Sequence, residues 1–129
     1  MMNLRKSRWL LVSLCLAVLC TSAWANSRTK VAESLTTNTT STAQPVPETA
    51  KSFYGQVVCS SGTCTQTQAI WGDLDSDAAN GVLVCTLTLS GTTRAQDACP
   101  VVTATFLYYY VVTTNTAGTA ATGTVYAMY

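Results

Sequence analysis

The stretch Asp73-Leu74-Asp75-Ser76-Asp77 sets three carboxylates at alternating positions. Alternating carboxylates in a loop are one way proteins gather hard oxygen ligands for Ca2+. Asp73, Asp75 and Asp77 fit the opening of an EF-hand loop, and the fit ends there. Ala78 stands where that loop needs Gly, and Val84 where it needs a bidentate Glu. An EF-hand is excluded on ligand count. An irregular Ca2+ loop on these three residues is the only cofactor site expected, against the plainer reading of a solvated turn between strands.

The sequence holds no histidine. Ser-His triads, imidazole general bases and imidazole zinc sites are therefore excluded. Ser60, Ser61, Ser76 and Ser90 lie in turn-like sequence with no base to activate them. A Ser–Lys dyad would have to draw on Lys30 or Lys51, which sit in or beside the threonine-rich N-terminal arm. A carboxylate pair for glycoside hydrolysis would have to combine the Asp cluster with Asp97, on a chain too short for a deep cleft. No catalytic residue is expected, and the chain is read as a non-enzyme.

Aromatic side chains point to binding instead. Tyr108-Tyr109-Tyr110 puts rings on both faces of one extended run. Rigid amphipathic rings make good contact surface. Trp71, Tyr108, Tyr109, Tyr110, Tyr126 and Tyr129 are the expected contact residues, and Trp71, next to the acidic run, could stack on a sugar.

The elements that position these residues follow from the cysteines and the leader. Arg5, Lys6 and Arg8 precede an uncharged apolar run from Trp9 to Cys20, and Ala23-Trp24-Ala25 ends in a small-x-small pattern. This is the form of a secretory signal peptide over residues 1–25. The run is about 12 residues long, well short of the roughly 20 needed to span a bilayer. No membrane span is expected once the leader is cut. Lipidation at Cys20 is disfavoured by Leu19, because a small residue normally precedes a lipidated cysteine. The protein is thus expected to be secreted, extracellular or periplasmic.

Counted from Asn26, four basic residues face six acidic ones, a net charge of −2. No basic patch remains for nucleic acid or for an anionic membrane. Cys59, Cys64, Cys85 and Cys99 are an even set in an oxidising compartment, which predicts two disulfides. Local geometry favours Cys59–Cys64 and Cys85–Cys99, since each pair brackets turn sequence: Ser60-Ser61-Gly62-Thr63 in one case and the stretch from Ser90 to Asp97 in the other.

Residues 26–50 are rich in threonine, serine and proline, with Val31, Leu35 and Val46 the exceptions. Such composition predicts a disordered arm. It also carries an Asn38-Thr39-Thr40 glycosylation sequon. Residues 51–129 read as one all-β, disulfide-stapled domain. Five strands are expected, at Ser52–Cys59, Thr63–Trp71, Val82–Leu89, Val101–Thr113 and Thr119–Tyr129. A short antiparallel meander would link them as a barrel or a sandwich. In Val82–Leu89, residues Leu83, Cys85, Leu87 and Leu89 share the core face, and Thr86 and Thr88 the wet one. A helix fits only around Asp73 to Ala79.

These features predict a secreted structural or cell-adhesion module. It would associate through a β-edge and a tyrosine-rich face, with itself or with an extracellular target protein. The alternatives are a small carbohydrate-binding domain, with or without Ca2+, and an effector or inhibitor presenting a disulfide-pinned hairpin.

Overall fold

The computed structural model describes residues 27–36, 38–47, 52–100 and 106–129, without the side chains of 115–120. The leader lies outside the described residues. The fold is all-β, as the threonine, valine and tyrosine content requires. Its strands are β1 (Arg28–Leu35), β2 (Thr39–Thr40), β3 (Gln44–Pro45), β4 (Ser52–Asp73), β5 (Val82–Gly91), β6 (Arg94–Ala98) and β7 (Tyr108–Met128). All pairings are antiparallel, in the order β1-β7-β4-β5, with β2 and β3 also on β7 and β6 also on β4.

Two long strands organise the molecule. The first half of β4 lies between β6 and the second half of β7; its second half lies between β5 and the first half of β7. Each long strand therefore runs through two layers, and the sheet bends over on itself into a nearly closed barrel. Gly55 and Gly123 mark how closely the layers approach. A Cβ on Gly55 would strike Gln68 and Leu87, and one on Gly123 would strike Gln66 and Gln68.

The antiparallel, barrel-like all-β fold is the one expected, with different strand bounds. Ser52–Cys59 and Thr63–Trp71 do not pair with each other; they are the two halves of β4. The expected last two strands are likewise halves of β7, and the chain runs on as strand through 114–118 instead of reversing there. Val101–Thr105 lie outside the described residues. The segment 74–80 forms bends, with no helix.

The alternation read from the sequence holds within the body. Phe53, Val57 and Cys59 point inward from β4, as do Ile70 on its second half, Leu87 and Leu89 on β5, and Val125 and Ala127 on β7. Two apolar clusters result. One is built on Phe53, Ile70, Leu87, Val111 and Val125, the other on Val57, Cys64, Leu89 and Ala121. Wholly buried Gln66 and Gln68 lie between them along β4.

The two bridges are Cys59–Cys64, with Cα atoms 5.8 Å apart, and Cys85–Cys99, at 6.4 Å. The first spans the corner of β4, where Gly62 takes a left-handed φ of 61°. The second ties β5, in one layer, to the end of β6, in the other.

The expected disordered arm is corrected over its described part. β1 pairs with β7 from Arg28↔Met128 to Leu35↔Gly123. Val31, Leu35 and Val46 are buried in the main cluster. The low apolar content predicts that this segment cannot fold alone; in the fold, β7 supplies its backbone partners and the body its core.

Candidate contact surface

Leu83 is the residue whose position departs most usefully from its sequence pattern. Ile70 pairs with Cys85, but the next residue, Trp71, pairs with Leu83. Two residues of β5 thus oppose one of β4, a β-bulge at Val84. The bulge turns Leu83 out of the core face shared by Leu87 and Leu89. Leu83 is 49% exposed, whereas Leu87 and Leu89 are buried.

Around it lies an apolar end of the molecule. Val82 pairs with Gly72, Tyr108 pairs with Asp73, and the Leu107 amide donates to the Asp73 carbonyl at 3.1 Å. Five large apolar residues stand exposed among the described residues. Four of them, Leu74 (62%), Val82 (59%), Leu83 and Leu107 (50%), belong to this end, and Val58 lies in the other half of β4. Pro45, Val46, Pro47, Leu107 and Tyr108 also enclose an open hollow of about 420 Å3.

Trp71 occupies the centre of this end. Its ring stacks on Tyr110 with centroids 6.3 Å apart and planes within 9°. Its indole Nε1 is buried with no hydrogen-bond partner among the described residues. Two residues on, Asp73 Oδ1 accepts from the amides of Leu74 at 2.7 Å and Asp75 at 3.2 Å, while buried Oδ2 has no partner among the described residues. An unpartnered donor and an unpartnered acceptor therefore sit at alternate positions of one strand, on one face.

The three aspartates point to different surroundings. Asp73 is buried and turned into its own loop. Asp75 is exposed. Asp77, also exposed, accepts from the Ala79 amide at 3.0 Å. No group of three potential ligands converges among the described residues.

The tyrosines do not form one face. Tyr109 is buried on the inner side, against Phe53 at 4.9 Å and edge-on to Phe106 at 6.0 Å. Burial pushes its hydroxyl pKa up, partly offset by a hydrogen bond with the Phe106 backbone. Tyr110 is buried on the outer side, where its hydroxyl accepts from the Gly81 amide at 3.3 Å under the acidic loop. Both are corrected from contact surface to core. Tyr108 remains half-buried at the apolar end. Tyr126 and Tyr129 lie on the other layer, engaged with the N-terminal segment: Arg28 sits 5.2 Å over the Tyr126 ring, and Tyr129 shares a 2.8 Å hydrogen bond with Thr29.

Missed from the sequence were Leu74, Val82 and Leu83. Their signal would have been apolar residues flanking a polar loop, but nothing in the pattern marks a one-residue bulge.

No protein-family model and no curated protein sequence matches the chain. Solved structures resemble it in fold. The crystal structure of PirA shares 10% identity at a TM-score of 0.46, covering 84% of this chain and 99% of that one. The carbohydrate-binding module CBM36, in complex with calcium and xylotriose, shares 12% at 0.47, covering 80% and 99%. The VP2 subviral particle of infectious bursal disease virus shares 14% at 0.31, covering 80% of this chain and 30% of its own. The strands and bridges themselves define a small all-β domain stapled by two disulfides.

Proposed function

We propose that this protein is an exported, non-catalytic adhesion module that holds an extracellular target protein at the apolar end of the barrel. One observation carries the reading: four of the five exposed large apolar residues gather where β4, β5 and β7 meet the acidic loop. A cluster of this kind on a small domain is the physical signature of a contact site. Half-buried Trp71 and Tyr108 supply the rigid anchors that dominate such interfaces. The leader and the two disulfides support export into an oxidising space.

The test is binding to a panel of immobilised extracellular proteins, comparing wild type with a Val82→Glu/Leu83→Glu double variant. Both positions are solvent-facing, so the fold should survive. The reading expects a binder in the panel and at least tenfold weaker binding by the variant. Absence of any binder, or binding indifferent to the variant, contradicts it.

A second reading rests on the Trp71 Nε1 and Asp73 Oδ2 pair. Both atoms are buried, so this reading requires the Trp71 and Asp73 side chains to turn outward on binding; a sugar hydroxyl then accepts from the first and donates to the second. Ca2+ bound at Asp73 Oδ2 is part of the same proposal. Titrating oligosaccharides, with and without Ca2+, should shift the fluorescence of Trp71, the sole tryptophan after the leader. A flat signal for every sugar and for the metal removes this reading.

A further inference from the structure

We propose that β1, with β2 and β3, is an exchangeable segment, and that its second docking place is β7 of another copy of this chain. All three strands pair with β7 and with no other strand. Both described disulfides lie between Cys59 and Cys99, so neither ties this segment to the body. It is held by backbone pairing, by Val31, Leu35 and Val46 in the core, and by the Gln66 amide donating to the Leu35 carbonyl at 3.0 Å.

The hold is irregular. The β1–β7 register shifts twice within Arg28–Leu35. Ser34 and Asn38, neither of them glycine, take left-handed φ values of 55° and 24°. Such backbone is costly, and a ladder interrupted twice forms fewer backbone bonds than a regular one. The segment also leaves behind a complete receptor: an unpaired edge of β7 and an apolar groove floored by Phe53 and Val125. An identical segment from a second copy restores the same contacts. Exchange therefore conserves the interactions and is governed by linker entropy and concentration. It shares with the apolar end only the hollow lined by Pro45, Val46 and Pro47, while Leu74, Val82, Leu83 and Leu107 lie outside the segment, so its failure would leave the proposed function standing.

The test mixes two variants, each adding one cysteine to a chain whose native bridges are kept intact by unfolding without reductant: Arg28→Cys and isotope-labelled Met128→Cys, at positions paired across β1 and β7. They are refolded together over a range of concentrations and oxidised. Exchange predicts a covalent dimer joined 28-to-128 that grows with concentration. It should exceed by about tenfold the yield from Arg28→Cys mixed with Thr92→Cys, an exposed hairpin position that β1 never meets. Lys30→Cys with Tyr126→Cys gives a second register pair should the first destabilise the strand end. Yields equal to the Thr92 control in both pairs overturn the proposal.

Discussion

Gln68 donates from Nε2 to Oε1 of Gln66 at 2.8 Å, with both side chains wholly buried between the layers. Gln68 Nε2 also reaches the Gln56 carbonyl at 3.3 Å, and Gln66 Nε2 the Leu35 carbonyl. Two amides thus link both halves of the body to the N-terminal segment. They fit because Gly55 and Gly123 leave room opposite them. A Gly123→Ala substitution drives a methyl into both amide groups and should cost about 1–3 kcal/mol, the range for overpacking. Urea unfolding of the variant measures it; an unchanged midpoint would mean that the layers are not this close.

The described part of the N-terminal segment is structural. Leu35 is 2% exposed. Leu35→Ala should lose about 2–5 kcal/mol, as buried leucines do. A solvated arm would lose nothing, so equilibrium denaturation separates the two pictures.

The two bridges should differ in worth. They close loops of sequence separation 5 and 14. On chain entropy alone, the shorter loop contributes about 2 kcal/mol and the longer about 3 kcal/mol. Replacing Cys85 and Cys99 by serine should therefore lower the melting temperature more than replacing Cys59 and Cys64. The reverse order would show that the corner of β4 carries more than its loop entropy.

Tyr109 should make stability fall in alkali. Burial raises its folded pKa above the ordinary 10.0. As pH rises, the unfolded chain releases that proton first, so unfolding gains. The contribution is whole below pH 10 and is lost as pH climbs through the folded value. Melting temperature should drop above about pH 10, and Tyr109→Phe should flatten that drop. Equal slopes for wild type and variant would assign the effect elsewhere.

Much of the fold was legible because period-two alternation survives within each strand. Phe53/Val57 and Leu87/Leu89 face inward as their spacing requires, and both cysteine pairs bracket turn sequence. The pairing partners were not legible. Alternation says which face is buried, not which strand lies alongside, so β4 and β7 each read as two strands with a turn between them. β1 was hidden for a different reason: its few apolar residues suffice only because the body completes their surroundings. At the site, Trp71, Asp73 and Tyr108 were legible as candidates. Leu83 was not, since a single extra residue at Val84 reverses the face of everything before it. Tyr109 takes the one core-facing place that alternation allows in the tyrosine run, and Tyr110 looked like surface because the sequence does not show that the loop ending at Gly81 covers the outer side.

The most direct test of the account is a hydrogen-exchange footprint of the bound target on the intact protein. Protection confined to residues 71–74, 82–84 and 107–108 is predicted. Protection centred instead on Tyr54 and Tyr126, on the opposite layer, would contradict it.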